Sequence, residues 1–278
     1  MSGSRAIGRD VQFYLFSEPD KPLGGMRLHP SVTEKVFLSM LGTLIVASGG
    51  YRVTLRSTGV DLTPTDESLK PGNYDIRPCS CRVKIALNDE PCITRILSRT
   101  ITGRDDLFRA RVRERDGKCV ITGVDILPLS SEGYWIQKGY TKWITNRVGE
   151  RDTGINSSQN GLLMLSNIHQ KFDSFSFSIN PDDGYKITCF DDDPFRIDGR
   201  VLESTCQESI GLEGVRDELL RWHFRQAVLA NMRGAGEPLF EMDFPPGTDM
   251  MGEILSGPEP GKRMEAELFS RFSSVHVE

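Results

Sequence analysis

Histidine is scarce in this chain: four occur among 278 residues, at His29, His169, His223 and His276. Any chemistry that depends on imidazole therefore has few candidates. The six cysteines, Cys79, Cys81, Cys92, Cys119, Cys189 and Cys206, contain no C-x-x-C pair. Cys79 and Cys81 form a C-x-C with no matching second pair, so ordinary reduced thiols are expected. No P-loop, G-x-S-x-G, H-E-x-x-H or G-x-G-x-x-G occurs, which leaves phosphate-cradling, serine-hydrolase, zincin and dinucleotide chemistry without support. Long apolar runs are missing too. The longest, Val36 to Ala47, is broken by Ser39, Gly42 and Thr43 and is too short to span a bilayer. The first ten residues are polar and lack the apolar centre of a secretory signal. An intracellular protein is expected, with no membrane partner; no basic cluster distinguishes nucleus from cytosol. An excess of positive charge is also absent, the net charge being −5. That argues against a DNA-coating protein, since phosphate neutralisation supplies most non-specific affinity. It leaves room for a small basic cleft on an acidic body.

What the chain does contain is the apolar and charged content of a globular protein, with length for one large domain or two modest ones. Gln12 to Phe16, Tyr51 to Leu55 and Arg82 to Leu87 read as strands, and Asn88-Asp89-Glu90 turns into a further extended stretch, Cys92 to Leu97. Ser31 to Ala47 reads as a helix. Ser31 and Glu34 fit a capping box, and Phe37, Met40, Leu41, Leu44 and Ile45 recur at helical spacing. Pro71-Gly72-Asn73 reads as a turn. Asp105 to Arg115 reads as a helix, acidic at its start and carrying Arg111, Arg113 and Arg115 near its end. Its arginines are read either as a phosphate-binding face or as a solvated, self-paired charge face. Ser166 is a candidate cap for a short helix through His169 to Phe172. Phe175, Phe177 and Ile179 alternate, as do Tyr185 and Ile187, around Asn180-Pro181-Asp182-Asp183-Gly184, the pattern of a β-hairpin. Residues 213–233 form the clearest helix, with Leu220, Phe224, Ala227 and Val228 on one face and Gly234 and Gly236 at its end. His223 on this helix has no acidic or thiol neighbour in sequence and reads as structural. A Pro-rich stretch, Glu237 to Gly247, precedes a last predicted helix, Lys262 to Phe272.

Two motifs carry chemistry: Gln159-Asn160-Gly161-Leu162-Leu163, and Ile168-His169-Gln170-Lys171-Phe172-Asp173. Ile126-Leu127-Pro128-Leu129 lies upstream. Together they resemble the HNH endonuclease family, whose pattern is A-A-H-I-x-P, then N-G-L-x-L, then L-H-x-x-F-D. The run from Arg115 to Gly123, R-D-G-K-C-V-I-T-G, resembles the lead-in of fungal members. Arg221 to Leu229 with Gly234-Ala235-Gly236-Glu237-Pro238 resembles the helix that follows their nuclease core. The resemblance extends from Pro22-Leu23-Gly24-Gly25 to the end of the chain.

The resemblance implies an α+β fold in three parts: a β-rich N-terminal region (1–100), a degenerate ββα-metal core (101–200) and a C-terminal helical extension (201–278). It implies a divalent metal, Mg²⁺ or Zn²⁺, that stabilises charge on a scissile phosphate, and a nucleic-acid substrate, DNA ahead of RNA. One family histidine takes a proton from water, a task suited to a pKa near 6.5. An asparagine orients that histidine or pins its loop, and a second histidine helps hold the metal. By resemblance Asn160 takes the asparagine role and His169 the metal-ligand role, with Asp173 on the same helix face a second ligand or a structural acceptor.

The first histidine is missing. Val124-Asp125 stands directly before Ile126, and the stretch between T-G and I-x-P is shorter than in fungal relatives. Asp125 is then the candidate base or hard-metal ligand, although an aspartate's pKa lies about 2.6 units below that of histidine. Alternatively the core is a relic kept for binding or scaffolding, or a histidine-bearing segment has been lost from the sequence. The aromatic stretch Tyr134, Trp135, Tyr140 and Trp143, flanked by Lys138, Lys142 and Arg147, reads either as a small core or as a base-stacking surface. Oligomeric state is not legible.

Overall fold

The computed structural model describes residues 5–90, 92, 106–125, 140–146, 157–207, 213–236, 244, 247–256, 260–261 and 264. The protein is α+β and divides into two units: residues 1–94 with 225–272, and residues 95–224 with 273–278. Among the described residues, no helix is long and apolar enough to cross a membrane. The predicted strand at Cys92 to Leu97, the Ile126 to Leu129 segment, Tyr134, Trp135, Lys138 and Arg147 lie outside the described residues, Cys92 excepted. So do most of Glu237 to Gly247 and of the helix at Lys262 to Phe272.

The first unit is built on a five-stranded sheet. Its strands are β1 (Val11–Leu15), β2 (Pro22–Met26), β4 (Tyr51–Leu55), β5 (Val60–Asp61) and β6 (Gly72–Pro78), in the order β2-β1-β6-β4-β5. Only β1 and β6 pair parallel, with Phe13 beside Tyr74. Helix α1 (Glu34–Leu44) covers one face, because Val36, Phe37, Met40, Leu41 and Leu44 recur on one side and are buried. Phe37 meets Phe13 and Tyr74 with ring centroids 6.4 and 5.3 Å apart. The helix starts two residues later than the capping box predicts. Thr33 Oγ1 accepts from Val36 N–H at 3.3 Å, and the Glu34 carboxylate accepts instead from Thr65 Oγ1 at 3.0 Å. Strands β3 (Ile45–Ala47) and β7 (Ile85–Leu87) form a separate antiparallel pair.

The end of the long C-terminal helix closes this unit. Arg9 donates to the carbonyls of Gly234 (2.8 Å) and Asn231 (2.6 Å), and Gly234 N–H donates to Leu23 O at 2.9 Å. A Cβ on Gly24 would stand 2.0 Å from Met232 O, so only glycine lets β2 pass this close. Arg225 donates to Glu90 through Nε and Nη2, and these hydrogen bonds hold the Glu90 carboxyl below the ordinary glutamate range.

Among the described residues of the second unit, helix α2 (Asp106–Asp116) comes first, and a 3-10 turn at Ser158–Asn160 leads to helix α3 (Ser166–Asp173). A hairpin follows, β8 (Phe177–Asn180) with β9 (Lys186–Cys189), Ile179 opposite Ile187. Its corner is a 3-10 turn, Pro181–Asp183, closed by Gly184 at φ 64°. The first half of helix α4 (Asp217–Met232) completes the unit; residues 225–232 count with the first. The core joins Cys119, Val120 and Ile121 to Leu162, Met164, Ile168, Phe172, the hairpin and Leu220.

Candidate functional site around the Asn160 turn and helix α3

The stretch before Asp125 folds back on itself. Lys118 and Asp125 form an isolated antiparallel bridge, Cys119 N–H donates to Val124 O at 2.9 Å, and Gly123 at φ 74° makes the bend. Val120 N–H donates to Leu163 O at 3.0 Å. That bond ties the bridge to the N-G-L segment, whose Leu162, Leu163 and Met164 are all buried. Asp125 itself is exposed.

Asn160 ends a buried polar turn. Ser157, Ser158, Gln159 and Asn160 are each at most 7% exposed, and Asn160 is fully buried. Burial of so many polar groups requires partners close at hand. Ser157 Oγ accepts from Gln159 N–H at 3.1 Å. The Gln159 amide takes Thr145 N–H at 2.7 Å and donates to Thr145 Oγ1 at 2.8 Å. Ser157 and Ser158 also bond Asn146 and Glu213 respectively.

Arg115 is the residue that sequence reasoning misplaced. Both of its alternatives, phosphate-binding and solvated, put it at the surface, yet its side chain is only 9% exposed and that of Asp116 is fully buried. Its Nε and Nη2 donate to Asp116 Oδ1 (2.6 Å) and Oδ2 (2.9 Å). Nη1 reaches Ser158 O (2.8 Å) and Glu213 O (2.7 Å), and Nη2 also reaches Gly161 O (2.7 Å). A guanidinium has five N–H donors, and these five bonds use them all. The one sequence signal is the R-D pair that opens the Arg115 to Gly123 motif; the three carbonyl acceptors lie 43 to 98 residues further along and leave no local trace.

Helix α3 begins at Ser166 with Leu165 at the N-cap and no side-chain cap, so Ser166 is a first-turn residue and not the cap. His169 and Asp173, four residues apart, meet with Nε2 3.2 Å from Oδ2, and their side chains are 13% and 9% exposed. The helix ends with Phe175 at φ 59°, where glycine is usual, and Ser176 N–H donates to Lys171 O at 2.9 Å. The buried Phe175 ring packs 4.9 Å from that of His223. His223, 3% exposed, also stacks on Phe172 at 3.7 Å. Its two nitrogens bond Ser178 Oγ (2.6 Å) and Phe172 O (3.0 Å), the structural role its sequence context predicts.

The structure thus brings His169 and Asp173 together, sets Asn160 in a buried polar turn, and leaves Asp125 on an exposed stretch. Among the described residues no group of three or more His, Cys, Asp or Glu is gathered to hold a metal. All six cysteines are free thiols. Burial pushes the Cys206 thiol up to about 12 and raises that of Cys189 as well, so both stay protonated. Of the basic aromatic stretch, Lys142 lies with its Nζ 5.2 Å from the Trp143 ring centroid.

No curated protein matches the chain, and no solved structure does. Residues 8–80, the sheet and α1 of the first unit, match a domain of unknown function (DUF8573). Residues 119–180, which carry Asp125, Asn160, His169 and Asp173, match the HNH endonuclease family.

Proposed function

We propose that the second unit is a nuclease-derived site for nucleic acid, DNA ahead of RNA, in which His169 and Asp173 hold a divalent ion and Asn160 fixes the loop beside it. The supporting observation is the pairing of His169 with Asp173 inside a segment that matches HNH endonucleases. The donors fit such an ion. Two neighbouring ligands on one metal with bonds of roughly 2.1 Å lie about 3 Å apart, close to the 3.2 Å between Nε2 and Oδ2. Imidazole with carboxylate suits Zn²⁺, and the carboxylate also suits Mg²⁺. When bound, the ion supplies Lewis-acid stabilisation of charge on a phosphate oxygen.

The chain's own residues limit the rate. Asp125 occupies the place of the histidine that takes a proton from water, and a carboxylate is the weaker base. Cleavage is therefore expected to be slow, and nucleic-acid binding to outlast it. The test incubates the full chain with plasmid and single-stranded DNA under Mg²⁺, Mn²⁺ or Zn²⁺, beside His169→Ala and Asn160→Ala. Metal-dependent nicking at least ten-fold weaker in both variants is expected. Nicking that persists unchanged in His169→Ala overturns the assignment, and binding with no nicking under any metal leaves a non-catalytic nucleic-acid scaffold.

A further inference from the structure

We propose that Arg115 and Asp116 are positioning residues for the Asn160 turn; this rests on the nuclease reading of Asn160 given above. Ser158 and Gly161, whose carbonyls Arg115 holds at 2.8 and 2.7 Å, stand on either side of Asn160. Two residues further on, Leu163 N–H donates to Asp116 Oδ2 at 2.9 Å. One ion pair therefore fixes the backbone before Asn160, after it, and at the start of the segment that leads to helix α3. The third carbonyl, Glu213 O, belongs to the residue whose carboxylate bonds Ser158 Oγ, so the turn is held from that side as well.

Packing adds a second constraint. A Cβ on Gly161 would stand 2.7 Å from Phe108 Cζ and 3.0 Å from Val112 Cγ2, so the chain after Asn160 lies hard against α2. Phe108, Val112 and Leu163 form their own small core there. Helix α2 thus presents an apolar face to Gly161 and Leu163 and an ion pair to Ser158 and Gly161. All four of these α2 residues precede the segment that matches the nuclease family. Arginine is required for its geometry: a lysine ammonium has three donors at one point and cannot reach Asp116 and three carbonyls together. A site that must hold a side chain within about 0.5 Å of its working place needs such support.

The test uses the full isotopically labelled chain in four forms: unaltered, Arg115→Lys, Asp116→Asn, and Ile187→Ala as a cavity in the hairpin part of the core. Each is read below its own melting temperature. The Asn160 side-chain amide signal is assigned by its loss in Asn160→Ala. It is expected to shift or broaden in both clamp variants and to stay in place in Ile187→Ala. Where cleavage is seen, kcat is expected to fall ten-fold or more in the clamp variants at unchanged KM. An Asn160 signal left in place by both clamp variants, or moved equally by Ile187→Ala, overturns the proposal. Should no form cleave any nucleic acid, the catalytic reading fails while the amide signal still decides the clamp.

Discussion

Asp116→Ala is expected to destabilise the second unit by about 3–5 kcal/mol, the usual result of removing one partner of a buried ion pair. The reason is what remains behind. Arg115 keeps its charge, is 9% exposed, and loses the acceptor of two of its five donors. Leu163 N–H, in a buried segment, loses its acceptor too. Water has little access to replace either. Replacing both charges together, as Arg115→Met with Asp116→Leu, is expected to recover part of the loss, because no buried charge is then stranded. The carbonyls of Ser158, Gly161 and Glu213 would still lack donors, so recovery is partial. Trp135, Trp143 and Trp222 all fall in the second unit. Tryptophan fluorescence in a urea titration therefore follows this unit alone. A midpoint for Asp116→Ala within experimental error of the unaltered chain would contradict the account.

His223→Ala is expected to cost about 3–4 kcal/mol in the same titration, comparable to the truncation of other buried aromatic side chains. The ring fills the space between Phe172 and Phe175, stacking on the first at an interplanar angle of 15°. A carbonyl can only accept, so the proton of neutral His223 sits on Nε2 and is donated to Phe172 O; Nδ1 then accepts from Ser178 Oγ. Truncation removes the packing and leaves a carbonyl and a hydroxyl without these partners in a buried place. Phe172 lies between His169 and Asp173 in the sequence of α3, so the same ring supports the helix that carries the candidate ligands. Nitrogen chemical shifts should show the Nε2–H tautomer at neutral pH. An Nδ1–H tautomer, or a loss under about 1 kcal/mol, would count against this role.

Where local pattern decides structure, the sequence could be read. Strand β4 has the predicted ends, because Tyr51 to Leu55 is β-prone and bounded by glycine and a turn. The hairpin follows from the alternation of Phe177 and Ile179 with Ile187. The buried face of α4, with Leu220, Ala227 and Val228, follows from helical spacing. Strand β6 was hidden behind Pro71-Gly72-Asn73, read as a turn, although Tyr74 and Ile76 alternate beyond it. Its parallel partner β1 is some sixty residues earlier, a pairing that no local signal encodes. Strand β2, Pro-Leu-Gly-Gly-Met, carries little β propensity of its own. Its Gly24 is demanded by the Met232 carbonyl, about two hundred residues downstream.

The candidate site divides the same way. His169 and Asp173 are four apart on a helix, so their meeting is legible from spacing alone. Arg115 was misread for the opposite reason. Arg111, Arg113 and Arg115 share one charged helix end, and although Arg115 opens the R-D motif, only the fold shows that it turns inward to carbonyls from residues 158, 161 and 213.

The most direct test of a metal-holding HNH-like unit is a Mn²⁺ titration of the labelled full chain, followed by the imidazole signals of its four histidines. His169 is expected to broaden first, at substoichiometric metal, ahead of the other imidazoles. Chelation should restore the signals, and Asp173→Asn should weaken the effect. Broadening that begins at His29 or His276, or none at His169 with metal in excess, would contradict that expectation.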